Sequence, residues 1–202
     1  KNNEQVGSLT ITKTGEQLQE VGGEGILDKI AKGLSKVVEV FTGIDYSDKV
    51  FHEFIYGDSG VTGAEFKVYA DMDIVSPDGA VDKDGNPVIR YQKDDLIATL
   101  TTENGTATLN NLPLGSYYTM ETVAGENLVL NTEVKHFTIS AEDDTVAVVY
   151  EGVFYHNERQ KIEVSIAKTD SVSKEAIAGV VFGLYAKTDI LSAQGEILVA
   201  KD

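Results

Sequence analysis

The sequence predicts an all-β protein, an Ig-like antiparallel β-sandwich with one inserted amphipathic helix and an incomplete second copy behind it. Short runs rich in Val, Ile, Thr and Tyr follow one another between residues 64 and 155. Turn-forming pairs such as Asp78-Gly79, Asp84-Gly85 and Asn104-Gly105 separate these runs. Many short strands with turn residues between them are typical of an antiparallel sandwich or barrel.

Composition excludes several classes of function. The chain has 202 residues, of which 42% are hydrophobic and 25% charged, as in ordinary folded proteins. Its net charge of −16 argues against nucleic-acid binding and against an anionic membrane surface as the main partner. The absence of cysteine excludes disulfides, thiol catalysis and cysteine-ligated zinc. No apolar run within this fragment approaches the length of a membrane span.

The first strand carries a lysine on its inward face. Residues 9–13, Leu-Thr-Ile-Thr-Lys, alternate with period two, so Lys13 shares a face with Leu9 and Ile11. An ammonium group in a core must be deprotonated, paired or consumed by a reaction, because an isolated buried charge is very costly. The alternative is that the strand ends at Ile11 and Lys13 extends to water.

A helix is predicted after this strand. Apolar residues recur at steps of three and four between residues 26 and 41, and Gly43 follows as a helix stop. We expect this helix to pack on its own domain and assign it to an insertion of about residues 19–58. The apolar stripe consists of Ile26, Ile30, Leu34, Val37, Val38 and Phe41.

The chain then repeats itself. The Lys13 strand recurs around Lys168, and the pattern Gly-x-x-Phe-x-x-Tyr-Ala at residues 63–70 recurs at 179–186. These matches predict a first domain over residues 1–160 and the opening of a second over 161–202. Because a partial sandwich leaves apolar faces and strand edges uncovered, we expect 161–202 not to form an independent stable domain. Lys168 is the candidate lysine of the second copy, and we expect it to remain an unreacted amine.

The motifs together resemble a known family. They are the Lys-Thr first strand, the Gly-x-x-Phe-x-x-Tyr hairpin, the Leu-Pro-x-Gly-x-Tyr segment at 112–117, the following Glu121-Thr122, and the terminal strand that ends in Asn157. This combination is similar to the Cna B-type domain, also called SpaA-type. That domain is the prealbumin-like sandwich of Gram-positive pilins and wall-anchored adhesins.

The resemblance implies a self-made cross-link. Carried over to this sequence, an isopeptide bond would join Lys13 to Asn157, and Glu121 would promote it. Burial favours the neutral forms of an amine and a carboxyl group, so a proton can pass between them and leave a nucleophilic amine. Asn131 or Asp143 are alternative partners for the lysine, and Glu126 is an alternative promoter.

Other chemistry has little support in the sequence. Residues 82–86 resemble the start of a calcium loop, but Lys93 occupies the position where an EF-hand needs glutamate. The histidines His52, His136 and His156 lack metal-ligand spacing, and there is no Ser-His-Asp set or phosphate loop. We therefore expect no metal, no cofactor and no enzymatic turnover beyond a single self-cross-linking step.

The predicted function is that of an extracellular stalk module in the cell wall or pilus of a Gram-positive bacterium, stiffened by the Lys13–Asn157 bond. Its expected partners are neighbouring modules of the same surface protein, with pilus subunits or a host ligand beyond them. The alternative is a ligand-binding adhesin domain in which the insertion contacts a host or partner molecule, since insertions on rigid scaffolds often carry function.

Overall fold

The computed structural model describes residues 5–22, 53–76, 78–140 and 148–201, and it confirms an all-β fold. Twelve strands and no helix occur in this part of the chain, and no helix in it is long and apolar enough to cross a membrane. The strands are β1 Val6–Gly22, β2 Glu53–Gly60, β3 Glu65–Ala70, β4 Ile74–Val75, β5 Ile89–Tyr91, β6 Leu96–Thr101, β7 Thr106–Leu112, β8 Gly115–Val123, β9 Val134–Ile139, β10 Val148–Asn157, β11 Ile190–Leu191 and β12 Ile197–Val199.

Two four-stranded sheets form the sandwich. One has the order β6-β3-β8-β9 and is antiparallel throughout. The other has the order β10-β1-β2, with β7 also paired to β1. In this sheet β1 and β10 are parallel, from Val6 opposite Val148 to Gly15 opposite Asn157. The prediction of an antiparallel sandwich therefore holds except for the first and last strands, which run side by side in the same direction.

The core lies between the two sheets because inward positions alternate along each strand. Leu9 and Ile11 of β1, Phe66 and Val68 of β3 and Tyr117 of β8 have no exposed surface. They belong to one cluster of buried side chains. Fully buried aliphatic and aromatic residues of this kind stabilise a fold by roughly 1.5–3 kcal/mol each.

The chain divides into two compact units. The first comprises residues 1–16 and 58–160, and the second comprises residues 17–57 and 161–202. The predicted division into 1–160 and 161–202 stays a prediction.

The insertion of about residues 19–58 stays a prediction, although the structure shows what its two ends are. Strand β1 continues to Gly22 and β2 already begins at Glu53, so both ends of the 19–58 stretch are strand. Strand β1 is paired with β2. The predicted helix at 26–41 lies outside the described residues.

The two sequence copies make the same backbone contacts after their lysines. The Val61 amide donates to the Lys13 carbonyl at 3.1 Å, and the Ile177 amide donates to the Lys168 carbonyl at 2.9 Å. Val61 and Ile177 occupy equivalent positions of the repeat. The strand predicted around Lys168 is nevertheless not formed, because residues 161–168 have no strand partner among the described residues, whereas Lys13 lies within β1.

The hairpins that follow also correspond. In the first copy Ile74 of β4 lies opposite Tyr91 of β5, and in the second Ile190 of β11 lies opposite Val199 of β12. An aspartate precedes the first strand of each hairpin. It accepts a hydrogen bond from the backbone amide that lies two residues after the paired residue of the second strand. These bonds are Lys93 N to Asp73 Oδ1 at 2.9 Å and Lys201 N to Asp189 Oδ1 at 2.8 Å.

Candidate functional site

Lys13 occupies the inward face of β1, as its parity predicts. Residues 9, 11, 13 and 15 are all buried, and Lys13 has no exposed surface. The strand does not end at Ile11, so the alternative in which Lys13 extends to water is wrong. Lys13 Nζ donates to the carbonyl of Thr14 at 3.0 Å.

Two glycines fix the backbone at Lys13. The Lys13 amide donates to the Gly105 carbonyl at 2.7 Å, at the point where β1 leaves its pairing with β7. A Cβ on Gly105 would lie 2.6 Å from the Gly60 Cα and 2.9 Å from the Lys13 carbonyl oxygen. Gly105 also has φ of +81°, which L residues adopt at a cost. The Asn104-Gly105 turn therefore sets the position of the lysine as well as the end of a hairpin.

Glu121 approaches Lys13 from the opposite sheet. It lies on the inward face of β8 with Tyr117 and Thr119, and only 2% of its surface is exposed. Its Oε1 is 3.5 Å from Lys13 Nζ, and neither side chain contacts solvent. The two groups therefore form a buried ion pair when both are charged.

Asn157 completes the group as the last residue of β10. It pairs with Gly15, and 2% of its surface is exposed. Its Nδ2 donates to both oxygens of Glu121, at 3.0 Å to Oε1 and 2.8 Å to Oε2. Asn157 Oδ1 is buried without a hydrogen-bond partner among the described residues. A carboxylate thus lies between the lysine amine and the asparagine amide.

Burial changes the electrostatics of the lysine. Desolvation lowers the pKa of Lys13 below its ordinary value of 10.5, and the nearby Glu121 carboxylate offsets part of this change. A lowered lysine pKa increases the fraction of neutral amine at a given pH, and the neutral amine is the nucleophile.

Aromatic side chains pack around these groups. The Tyr155 ring lies 4.8 Å from the ring of Phe66, and its hydroxyl donates to the Thr119 carbonyl at 2.7 Å. Burial raises the pKa of Tyr155, so its hydroxyl keeps its proton and this bond. Phe66 also lies opposite Glu121 in the pairing of β3 with β8. The site is therefore enclosed by core side chains, which strengthens electrostatic interactions within it.

The alternative partners and the alternative promoter considered from the sequence either lie away from Lys13 or make different contacts. Glu126 is exposed in the loop between β8 and β9. Asn131 contacts Glu121 through its backbone amide, at 2.8 Å to Oε2, while its side-chain amide donates to the His156 carbonyl at 3.2 Å. Asp143 is outside the described residues. Sequence reasoning missed this backbone contact, although Asn131 two residues before Glu133 is a signal for an Asx turn.

The residues weighed for metal binding hold turns and surface contacts instead. Asp82 Oδ1 accepts the backbone amides of Asp84 and Asn86, at 2.8 and 2.9 Å. His136 contacts Asp71 at 2.8 Å, His156 contacts Thr14 at 3.1 Å, and His52 is outside the described residues. The described residues contain no group of three or more His, Asp or Glu side chains that could hold a metal.

Lys168, the second-copy lysine, is exposed. Its Nζ donates to the carbonyl of Thr169 at 3.4 Å, which matches the Lys13 contact with Thr14. The repeat thus reproduces this side-chain contact but neither the strand nor the burial of Lys13.

Comparison with known proteins gives a family match for the part of the chain that carries Glu121. Residues 55–152 match the model of the SpaA family, described as a prealbumin-like fold domain. None of the curated proteins matches the sequence.

Several solved pilin structures are similar to the chain. A minor pilin of Streptococcus agalactiae has 13% identity and a TM-score of 0.41, over 82% of this chain and 50% of that one. The major pilin SpaD of Corynebacterium diphtheriae has 18% identity and a TM-score of 0.37, over 77% and 30%. A mutant of the shaft pilin SpaA from Lactobacillus rhamnosus GG has 15% identity and a TM-score of 0.34, over 84% and 57%. The chain therefore matches half of the length of the streptococcal pilin and less of SpaD.

Proposed function

Since this chain carries a SpaA-type prealbumin-like domain over residues 55–152, we propose that it is a structural module of a pilin or adhesin on the surface of a Gram-positive bacterium. The module is stiffened by an intramolecular amide bond between Lys13 and Asn157, and Glu121 promotes the bond. Neighbouring modules of the same surface protein and other pilus subunits are its partners. The reaction happens once per molecule and is not enzymatic turnover.

One observation carries the proposal. An amine, a carboxylate and a carboxamide are buried together, with Glu121 3.5 Å from the amine and hydrogen-bonded to the amide. Burying these groups has a free-energy cost of desolvation that apolar side chains at the same positions would not have. Perturbed and clustered ionisable groups of this kind are typical of reactive sites.

The proposed reaction conserves atoms and protons. Lys13 transfers a proton to Glu121, and the neutral amine attacks Cγ of Asn157. The new Nζ–Cγ bond forms and the Cγ–Nδ2 bond breaks. Glu121 returns a proton to Nδ2, which leaves as ammonia, and takes one from the attacking nitrogen. The hydrogen bonds from Nδ2 to Glu121 support this role, because they place the leaving nitrogen beside the proton donor.

Strand positions supply the proximity that the reaction needs. Lys13 and Asn157 lie on neighbouring parallel strands, two residues apart in the pairing. Holding reactants in this way replaces a bimolecular encounter by an effectively unimolecular step. The product joins the first strand to the last, so that tension between the two ends of the sandwich passes through a covalent bond.

Intact mass spectrometry tests the proposal. The purified protein should weigh about 17 Da less than its sequence, because amide formation releases ammonia. A Lys13–Asn157 linked peptide should appear after proteolysis. A full sequence mass would contradict the proposal.

Variants at two glutamates test the promoter. Glu121→Gln preserves the shape of the side chain but cannot carry the proton, so it should give a folded protein of full mass. Glu126→Ala is the matched control at the alternative glutamate, and it should keep the mass loss. Loss of ammonia at the normal rate in Glu121→Gln would show that another group promotes the bond.

A further inference from the structure

The loop between β8 and β9 crosses the end of β10 beside the proposed reaction site. The Val129 amide donates to the Glu158 carbonyl and the Gln160 amide donates to the Asn127 carbonyl, both at 2.8 Å. Leu128 also forms an isolated bridge with Arg159. These backbone bonds hold the loop against the residues that follow Asn157, independently of any loop side chain.

Asn131, near the end of this loop, makes three hydrogen bonds, two of which reach strands β8 and β10. Its backbone amide donates to Glu121 Oε2 at 2.8 Å on β8. Its Nδ2 donates to the His156 carbonyl at 3.2 Å on β10, next to Asn157. Its Oδ1 accepts the Glu133 amide at 2.9 Å and closes an Asx turn just before β9. The side chain therefore fixes the orientation of the backbone amide that reaches Glu121.

These contacts give the two oxygens of Glu121 different surroundings. Oε2 accepts a hydrogen bond from the Asn131 backbone amide. It also accepts the shorter of the two hydrogen bonds from Asn157 Nδ2, at 2.8 Å. Oε1 is the oxygen that faces Lys13 Nζ. We propose that Asn131 is a positioning residue for the cross-linking step, which holds Glu121 so that Oε1 receives the lysine proton while Oε2 stays against the asparagine amide. The inference rests on the proposed Lys13–Asn157 bond.

The physical reason is the freedom of the glutamate side chain. Its terminal torsion is broad, so contacts and not an intrinsic rotamer preference must hold the carboxylate plane. A proton can pass from Lys13 and back to Nδ2 only if both nitrogens stay within reach of the same carboxylate. A backbone amide is a suitable anchor because the surrounding hydrogen bonds of the loop fix it.

The rate of cross-linking tests this role. The chain is made by cell-free synthesis, and the loss of ammonia is followed by intact mass at a temperature well below unfolding. Asn131→Ala removes both side-chain bonds, and we expect it to slow the reaction about tenfold or more, since small misplacements in reactive sites have effects of this size. Asn131→Ser keeps a short side-chain acceptor for the turn and should recover part of the rate.

A control separates positioning from a general loss of stability. Asn110→Ala removes an asparagine that accepts a 2.8 Å hydrogen bond from Ser8, away from the Glu121 carboxylate, and should leave the rate unchanged. The melting temperatures of all variants are compared in a Lys13→Ala background, where no bond can form. Asn131→Ala and Asn110→Ala should lower the melting temperature to a similar extent.

Each outcome distinguishes the two proposals. A wild-type chain that keeps its full mass would contradict the proposed cross-link itself. A wild-type chain that loses ammonia, with Asn131→Ala and Asn131→Ser reacting at the same rate as wild type, would overturn only the role of Asn131. Equal slowing by Asn131→Ala and Asn110→Ala would also overturn it, because the effect would then follow stability alone. If Asn131→Ala does not fold, the rate of Asn131→Ser against that of Asn110→Ala decides.

Discussion

The two copies of the lysine segment and its hairpin share residues and a backbone contact but differ in strand formation and in burial. Ile11 and Phe66 of the first copy have no exposed surface, whereas their equivalents Ile166 and Phe182 are 57% and 50% exposed. Lys13 is buried and Lys168 is exposed. The first copy also forms strands β1 and β3, whereas the matching residues 161–168 and 181–186 form no strand.

The difference in burial shows which contacts distinguish Lys13 from Lys168. In the first copy, β8 brings Glu121 over Lys13 and β10 runs beside it with Asn157. Residues 161–202 repeat the sequence of the lysine segment and of the hairpin, and among the described residues Lys168 contacts neither a carboxylate nor an asparagine amide. The burial of Lys13 therefore depends on non-local strands, which also supply the carboxylate and the amide.

Paired lysine substitutions should give the largest contrast. Lys13→Ala removes the proposed bond across a long loop, and we expect it to lower the free energy of unfolding by about 5 kcal/mol. Lys168→Ala, its matched control at the equivalent exposed position, should change it by about 0.5 kcal/mol or less. Denaturant unfolding measures both values. Equal effects of the two substitutions would remove the distinction between the copies.

Substitutions of the two equivalent phenylalanines compare how much side-chain packing contributes to stability in each copy. Phe66→Ala opens a cavity against Tyr155 and should cost about 3–5 kcal/mol. Phe182→Ala truncates a half-exposed ring, and we expect about 1 kcal/mol or less. The measurement is urea unfolding of variants that also carry Asn157→Ala, so that the cross-link does not mask the difference. A loss at Phe182 as large as at Phe66 would show that the second copy is covered in solution.

The smallest expected effect is a dependence of stability on pH. Asn157→Ala keeps Lys13 as a free amine whose folded-state pKa lies below the ordinary value of 10.5. Between the two pKa values the unfolded chain binds more protons than the folded one, so the free energy of unfolding should rise with pH up to about 10.5. The rise corresponds to about 1.4 kcal/mol for each unit by which the pKa is lowered.

Two further substitutions isolate the contribution of Lys13 to this slope. Adding Lys13→Ala to the Asn157→Ala variant should remove that part of the rise, while adding Lys168→Ala should not. Guanidinium unfolding between pH 7 and 11 records the difference. A slope that survives without Lys13 would assign the titration to another group.

Sequence alone determined the strand pattern and the inward direction of the lysine. Period-two alternation fixes which side of a strand each side chain occupies, and this is a local property of the backbone. The parity of Lys13 with Leu9 and Ile11 predicted the face that it shares with them, and all three residues are buried there. The resemblance to the Cna B-type pattern supplied Glu121 and Asn157, which the fold brings together with Lys13.

Only the tertiary structure determined which strands and residues contact one another across the fold. Nothing in the local pattern shows that β1 and β10 pair in parallel, that β1 extends to Gly22, or that the Asn131 backbone reaches Glu121. Each of these depends on which distant segments meet, and a backbone amide donates in the same way whatever its side chain. The repeat shows the same dependence on distant segments, because the sequence predicts a strand around Lys168, yet residues 161–168 form no strand and Lys168 is exposed.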